Sequence, residues 1–312
     1  MDIKDKTAPR GKKPPLFLGV GTALITPFCE DGIDYSALVK LIEFQIKNGA
    51  QAIVICGTTG EAPTVTESER ERMICASSEV IDGRVPLIVG TGTISTEVSL
   101  RYTAFARRHG ADAVLVVTPY YNKGTRSGVV EHYRKIAEIM PTIVYNVPSR
   151  TGVDISLSQL EALTDEENVI GIKEASPSVE KCAQIKKEFG DRYALYSGND
   201  TLTLPLLSLG GAGVISVASN VIPAQMQELC QLFFDGKTRA SRELHERYFR
   251  FMQLLFTETN PTPVKYASSL LGLCENRLRL PLSVAEDSTC RLLKEEMQAL
   301  GIIPSGELRR FG

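Results

Sequence analysis

From Leu18 onward, short apolar runs alternate with longer segments whose apolar residues recur at helical spacing. The short runs are Gly19–Leu24, Ala52–Cys56, Pro86–Gly90, Ala113–Val117, Thr142–Tyr145, Val169–Ile172, Ala194–Tyr196 and Gly213–Val217, eight in all. Near-continuous apolarity bounded by turn-forming residues predicts strands covered on both faces. The segments between them predict helices over Tyr35–Asn48, Glu67–Ile81, Ser95–His109, Arg126–Met140, Leu157–Leu163, Val179–Phe189 and Leu202–Leu209. Thr66-Glu-Ser-Glu69 and Asp34 have the form of N-terminal caps. Asn48-Gly49 and His109-Gly110 have the form of glycine C-terminal caps.

Strict alternation of strand and helix implies βαβ units and a parallel sheet. Eight repeats within about 200 residues predict an α/β fold of the (β/α)8 TIM-barrel type. An open doubly wound sheet would carry a glycine fingerprint after its first strand. That position reads Gly19-Val-Gly-Thr-Ala-Leu-Ile-Thr-Pro27, and no such fingerprint follows. After Pro223 the strand pattern stops, and Ala240–Thr257 and Ser288–Leu300 have apolar residues at helical spacing. The expected organisation is a polar N-terminal tail over residues 1–17, a barrel over 18–235 and a small C-terminal helical region over 236–312.

Composition narrows the function classes. The 312 residues include 35 basic and 37 acidic side chains, a net charge of −2, so there is no electrostatic case for nucleic acid or anionic membrane as a partner. The seven cysteines are odd in number and scattered, with no Cys-x-x-Cys pair, and read as reduced thiols of a cytoplasmic protein. The three histidines, His109, His132 and His245, lack metal-ligand spacing, so no metal site is expected. No run of about 18 apolar residues exists to span a membrane. Residues 1–15 lack the apolar core of a signal peptide.

In a barrel of this kind, chemistry sits at the C-terminal ends of the strands. The sixth strand ends Gly171-Ile-Lys-Glu-Ala175, which places Lys173 at the rim of a dry interior. Desolvation disfavours an ammonium there and favours a nucleophilic amine able to form a Schiff base with a carbonyl substrate. The second strand is followed by Gly57-Thr-Thr-Gly-Glu61, whose amides and hydroxyls can hold a carboxylate. The fourth is followed by Thr118-Pro-Tyr-Tyr-Asn122, and the fifth by Tyr145-Asn-Val-Pro-Ser-Arg-Thr-Gly152. A tyrosine on that rim can relay protons, and Arg150 can fork onto a carboxylate. Taken singly, each segment also reads as a glycine turn, a packing pair or a surface charge. Their joint placement on one rim favours a carboxylate-bearing carbonyl substrate attacked by Lys173.

These motifs, together with Gly213-Val-Ile-Ser-Val217, resemble those of the dihydrodipicolinate synthase family, in order and spacing, from about Gly19 to Leu300. The family belongs to the pyruvate-dependent class I aldolases, which include N-acetylneuraminate lyase. The resemblance implies 4-hydroxy-tetrahydrodipicolinate synthase activity: Schiff-base condensation of pyruvate with L-aspartate 4-semialdehyde, in the diaminopimelate route to lysine. It implies that Lys173 forms the Schiff base and that Tyr145, Thr58 and Tyr121 relay protons, with Tyr121 crossing a subunit interface. It implies that Thr59 holds the pyruvate carboxylate, that Arg150 positions the semialdehyde carboxylate, and that Gly198 and Ile215 line the pocket. It further implies a homotetramer built as a dimer of dimers. The iminium serves as the electron sink, so neither cofactor nor metal is called for.

The alternative within the class is an aldolase or lyase acting on N-acetylneuraminate or a keto-deoxy sugar acid. Sialic acid lyases typically carry Ser-Thr where this chain has Thr58-Thr59 and lack an arginine at position 150. Lysine-inhibited relatives carry histidines shortly after the Thr-Thr loop, then an asparagine and a glutamate. Those positions here hold Glu67, Arg70, Ile94 and Val98, although Tyr120 of the same cleft is retained. Weak or absent inhibition by lysine is therefore expected, with Glu67 and Arg70 spaced to pair with each other.

Overall fold

The computed structural model describes residues 14–304, so residues 1–13 of the expected tail and residues 305–312 lie outside the described residues. Eight parallel strands close into a barrel: β1 Gly19–Ala23, β2 Ala52–Ile55, β3 Leu87–Gly90, β4 Ala113–Val117, β5 Thr142–Asn146, β6 Val169–Glu174, β7 Ala194–Ser197 and β8 Gly213–Ser216. Each strand pairs with its neighbours in sequence, and β8 returns to β1 with Gly213 beside Gly19. Each expected strand forms; β6 runs on to Glu174, so that Lys173 lies within it.

Helices α1 Tyr35–Lys47, α2 Glu67–Ile81, α3 Thr96–Arg108, α4 Arg126–Ala137, α5 Pro148–Thr151, α6 Leu157–Glu161, α7 Val179–Phe189, α8 Thr203–Ser208 and α9 Pro223–Phe234 follow the successive strands. The expected caps are made. The Asp34 side chain accepts from Ala37 N at 2.9 Å, and Thr66 and Glu69 form a capping box. Two elements had no sequence signal: a small hairpin pairing Phe28–Cys29 with Gly32–Ile33, and the single turn of α5. Beyond the barrel lie α10 Thr238–Leu254, α11 Thr262–Leu270 and α12 Asp287–Ala299, with α10 packed on α9 and both α10 and α11 on α12.

Successive side chains of a strand face opposite ways, so each strand feeds two cores. Ala52, Val54, Leu115, Ile143 and Ile215 fill the barrel interior, whereas Ile53, Ile55, Val114, Val144 and Val214 pack outward against the helices. Phe17 enters the interior from the start of β1 and stacks on Tyr196 at 4.3 Å between ring centroids. Such a pair contributes about 0.5–1.5 kcal/mol beyond its area burial.

One irregularity sets the direction of the site. Between β5 and β6, Thr142 pairs with Val169, but the next residue, Ile143, pairs with Gly171. Ile170 is thus an extra residue, a bulge that reverses the facing of everything after it. Ile170 packs on the interior core, Ile172 packs outward, and Lys173 turns inward. Without the bulge, the facing of Ile170 would send Lys173 to the helix layer.

Candidate active site

Lys173 sits between Tyr145 of β5 and Tyr196 of β7, its register partners. It is 5% exposed, and its Nζ lies 4.4 Å from the centroid of the Tyr145 ring. Among the described residues no carboxylate forms an ion pair with it. A buried amine beside a phenol, unlocked by a counter-ion, is equipped for imine chemistry with a carbonyl compound. Gly198, just past β7, makes room for this side chain. A Cβ there would lie 2.4 Å from Ala175 Cβ and 3.1 Å from Lys173 Cε. The Gly198 amide is fixed by donation to the Glu174 carbonyl at 2.7 Å. Ile215, fully buried in β8, belongs to the same interior core as Tyr145.

The loop after β2 brings Thr58 and Thr59 to the rim. Cys56 and Glu61 both adopt left-handed backbone conformations, at φ 53° and 52°. Each costs on the order of 1–3 kcal/mol and persists only where the surroundings fix it. Here Gly60 N and Ala62 N donate to the Gly57 carbonyl, and Glu61 N donates to that of Thr58. The Glu61 side chain is buried in an ion pair with Lys265 of α11 and also accepts from the Arg279 amide at 3.0 Å. The C-terminal helical region therefore holds the loop from behind.

Thr59 is buried, and its Oγ1 accepts from Asn260 Nδ2 at 3.0 Å. Arg150, exposed at the end of α5, donates to the Asn260 carbonyl at 2.9 Å. One residue of the α10–α11 connection thus touches both groups that the sequence suggested as carboxylate binders. Thr58 is half-buried beside Thr59. Tyr121 is placed differently: its backbone is left-handed, at φ 58°, and its side chain is 89% exposed. Among the described residues no hydrogen bond joins Thr58, Tyr145 and Tyr121.

Two groups were not singled out in the sequence. Asn260 carries no local signal, because its contacts span 201 and 110 residues of chain. Asp200 is fully buried and accepts from Ser216 Oγ at 2.5 Å, Val217 N at 3.1 Å and Ala218 N at 3.0 Å, joining the ends of β7 and β8. Burial pushes its carboxyl up, against the pull of these donors and of the Lys173 charge. Of the positions read for lysine control, Glu67 and Arg70 do not pair. Glu67 meets Arg101 at 3.4 Å, while Arg70 is buried, donates to the carbonyls of Gly90 and Ala62, and lies over the Tyr102 ring. Ile94 is 45% exposed and Val98 half-buried.

Comparison with known proteins gives one consistent result. The sequence model of the dihydrodipicolinate synthetase family matches residues 16–300. A 4-hydroxy-tetrahydrodipicolinate synthase of Alkaliphilus oremlandii is 47% identical over 290 residues, covering 92% of this chain and 100% of the relative. The crystal structure of dihydrodipicolinate synthase from Thermotoga maritima matches with a TM-score of 0.89 and 45% identity, covering 92% of this chain and 100% of that one. A monomeric dihydrodipicolinate synthase variant matches with a TM-score of 0.90 and 44% identity, over 92% of this chain and 98% of that one.

Proposed function

This chain belongs to the dihydrodipicolinate synthetase family, and on that premise we propose that it condenses pyruvate with L-aspartate 4-semialdehyde as a 4-hydroxy-tetrahydrodipicolinate synthase. The observation that carries the reading is the placement of Lys173: buried at the barrel rim, in no ion pair among the described residues, 4.4 Å from the Tyr145 ring centroid. Its amine attacks the keto carbon of pyruvate, and loss of water gives an iminium. Loss of a methyl proton gives an enamine, whose carbon attacks the semialdehyde aldehyde. The adduct then cyclises: the amine of the semialdehyde adds to the iminium carbon, the carbon–nitrogen bond to Lys173 breaks, and the lysine leaves as a free amine. No observation at the site favours the sialic acid or sugar acid alternative.

Proton movement in these steps falls to Tyr145, Thr58 and Tyr121 as a hydroxyl chain, which needs no free charge in the pocket. Thr59 takes the pyruvate carboxylate, its hydroxyl set by Asn260. Arg150 takes the carboxylate of the semialdehyde, and Gly198 and Ile215 shape the space around the reacting carbon. The exposure of Tyr121 supports assembly: a second copy of the chain would bring its own Tyr121 to this rim, as in a homotetramer built as a dimer of dimers. The seven free thiols, and the lack among the described residues of any helix long and apolar enough to cross a membrane, support a cytoplasmic enzyme. The barrel 18–235 supplies the chemistry, and the region 236–312 braces the Thr58–Thr59 loop through Lys265.

The test is intact mass spectrometry after incubation with pyruvate and borohydride. One reduced adduct per chain is expected, absent from Lys173→Ala. An undiminished adduct in that variant overturns the assignment.

A further inference from the structure

Directly behind the proposed Schiff-base pair lies a second pair that the chemistry above does not use. Asn146 follows Tyr145 on β5 and Glu174 follows Lys173 on β6, and the two are register partners. Strand alternation turns Tyr145 and Lys173 into the barrel and Asn146 and Glu174 away from it. Both outward residues are buried, the Glu174 side chain completely. Asn146 Nδ2 donates to both carboxylate oxygens of Glu174, at 2.9 and 3.0 Å. Ser176 N donates to Glu174 Oε1 at 2.7 Å, and Lys181 Nζ lies 3.8 Å from Oε2.

The same Asn146 closes the loop that carries Arg150. Its Nδ2 donates to Asp154 Oδ1 at 2.8 Å, and its Oδ1 accepts from Ile155 N at 3.1 Å. Lys181 adds an ion pair with Asp154 and a bond to the Ile155 carbonyl at 2.8 Å. A buried carboxylate is poor value for stability alone, since apolar residues of similar shape often do as well. What such a network supplies is fixed geometry: fully satisfied buried polar groups admit few alternative arrangements.

We propose that Asn146 and Glu174 are positioning residues: one buried polar hub that sets Lys173 against Tyr145 and holds the Arg150 loop to the same strand. The proposal rests on the Schiff-base reading of Lys173. An outward movement of β6 by a fraction of an ångström would tilt the amine away from the reacting carbon, and misplacement of about 1 Å costs about a hundredfold in rate.

The test compares the full-length wild-type enzyme with Glu174→Gln, Asn146→Ser and Asp154→Asn. Three quantities are read: the rate of pyruvate trapping by borohydride, kcat and KM for each substrate, and the folded fraction by circular dichroism. Glu174→Gln is expected to lower the trapping rate and kcat by about ten- to hundredfold, the value of a charge-assisted hydrogen bond. Pyruvate KM should stay within about twofold, because ground-state binding is not the function at issue. Asp154→Asn should leave trapping at the wild-type rate and slow only the semialdehyde step. If Glu174→Gln does not fold, Asn146→Ser, which keeps the carboxylate with Ser176 and Lys181, carries the same expectation. Wild-type trapping and kcat per folded molecule in the folded variant would overturn the proposal, whatever the loss of stability. No trapping in the wild-type enzyme would instead overturn the Schiff-base reading, and the hub with it.

Discussion

Among the described residues two lysines are buried, in two regions, and they are treated in opposite ways. Lys265, on α11 in the C-terminal region, is fully buried and locked. Glu61 pairs with it, and its ammonium lies 4.2 Å from the centroid of the Phe28 ring. Burial pulls the Lys265 pKa down, while the Glu61 carboxylate pulls it back up. Lys173, at the barrel rim, is nearly as buried and also lies over an aromatic ring, but among the described residues no carboxylate forms an ion pair with it. Burial alone therefore does not make a lysine a nucleophile. A paired amine is a strut, and an unpaired one is available to a ligand.

Lys173→Ala should abolish both the pyruvate adduct and turnover while leaving the thermal midpoint close to that of the wild type, since no ion pair is broken. Lys265→Met should lower stability while keeping the nucleophile. Removing one member of a buried ion pair leaves the other charge uncompensated and costs about 3–5 kcal/mol. Urea unfolding should show that loss, while intact mass still shows the adduct on Lys173. An adduct that depended on Lys265 rather than Lys173 would invert the assignment of strut and nucleophile.

The difference between the lysines was only half legible in the sequence. The eight strands could be read because a two-sided strand is written as a short apolar run. Lys173 stood out because it ends such a run. Its inward direction could not be read, because it depends on the Ile170 bulge, and two-residue periodicity carries no mark of an extra residue. Lys265 gave no signal at all: its partner Glu61 is 204 residues away, and α11 reads as an ordinary amphipathic helix. Arg150 was legible as a charge on the rim, but Asn260, which orients it, was not. Tyr121 was legible as a rim tyrosine, yet within one chain it points into solvent. The expected Glu67–Arg70 pair failed because Arg70 found better acceptors, the buried carbonyls of Gly90 and Ala62.

Two groups of the rim itself divide the substrates between them. Lys173 is assigned to the first substrate and Arg150 to the second, so the two half-reactions should separate. Arg150→Ala should leave pyruvate trapping near the wild-type rate. It should lower kcat/KM for the semialdehyde roughly ten- to hundredfold, the loss of one charge-assisted contact of about 1.5–3 kcal/mol. Equal damage to both half-reactions would assign Arg150 to holding Asn260 and Thr59 rather than the second substrate.

The smallest expected effect concerns a second ion pair between the same two regions that Glu61 and Lys265 join. Arg279 forks onto Glu69 of α2 and also donates to the Thr64 carbonyl. Unlike Glu61 and Lys265, both side chains are partly exposed, at 26% and 20%. The Arg279 hydrogen bond holds the Glu69 carboxyl well below its ordinary value, from 4.5 to about 2, with Thr66 contributing. Because the folded-state pKa is depressed, the contribution to stability is fully present above about pH 4.5 and fades as the pH falls through about 2. At its partial exposure the pair should contribute no more than about 1 kcal/mol, less in high salt. Glu69→Gln should therefore lower the unfolding free energy slightly at pH 7, and the gap from wild type should close between about pH 4.5 and 2. A gap that persists unchanged through that window would show that the carboxylate charge is idle there and that Glu69 acts only through its cap on α2.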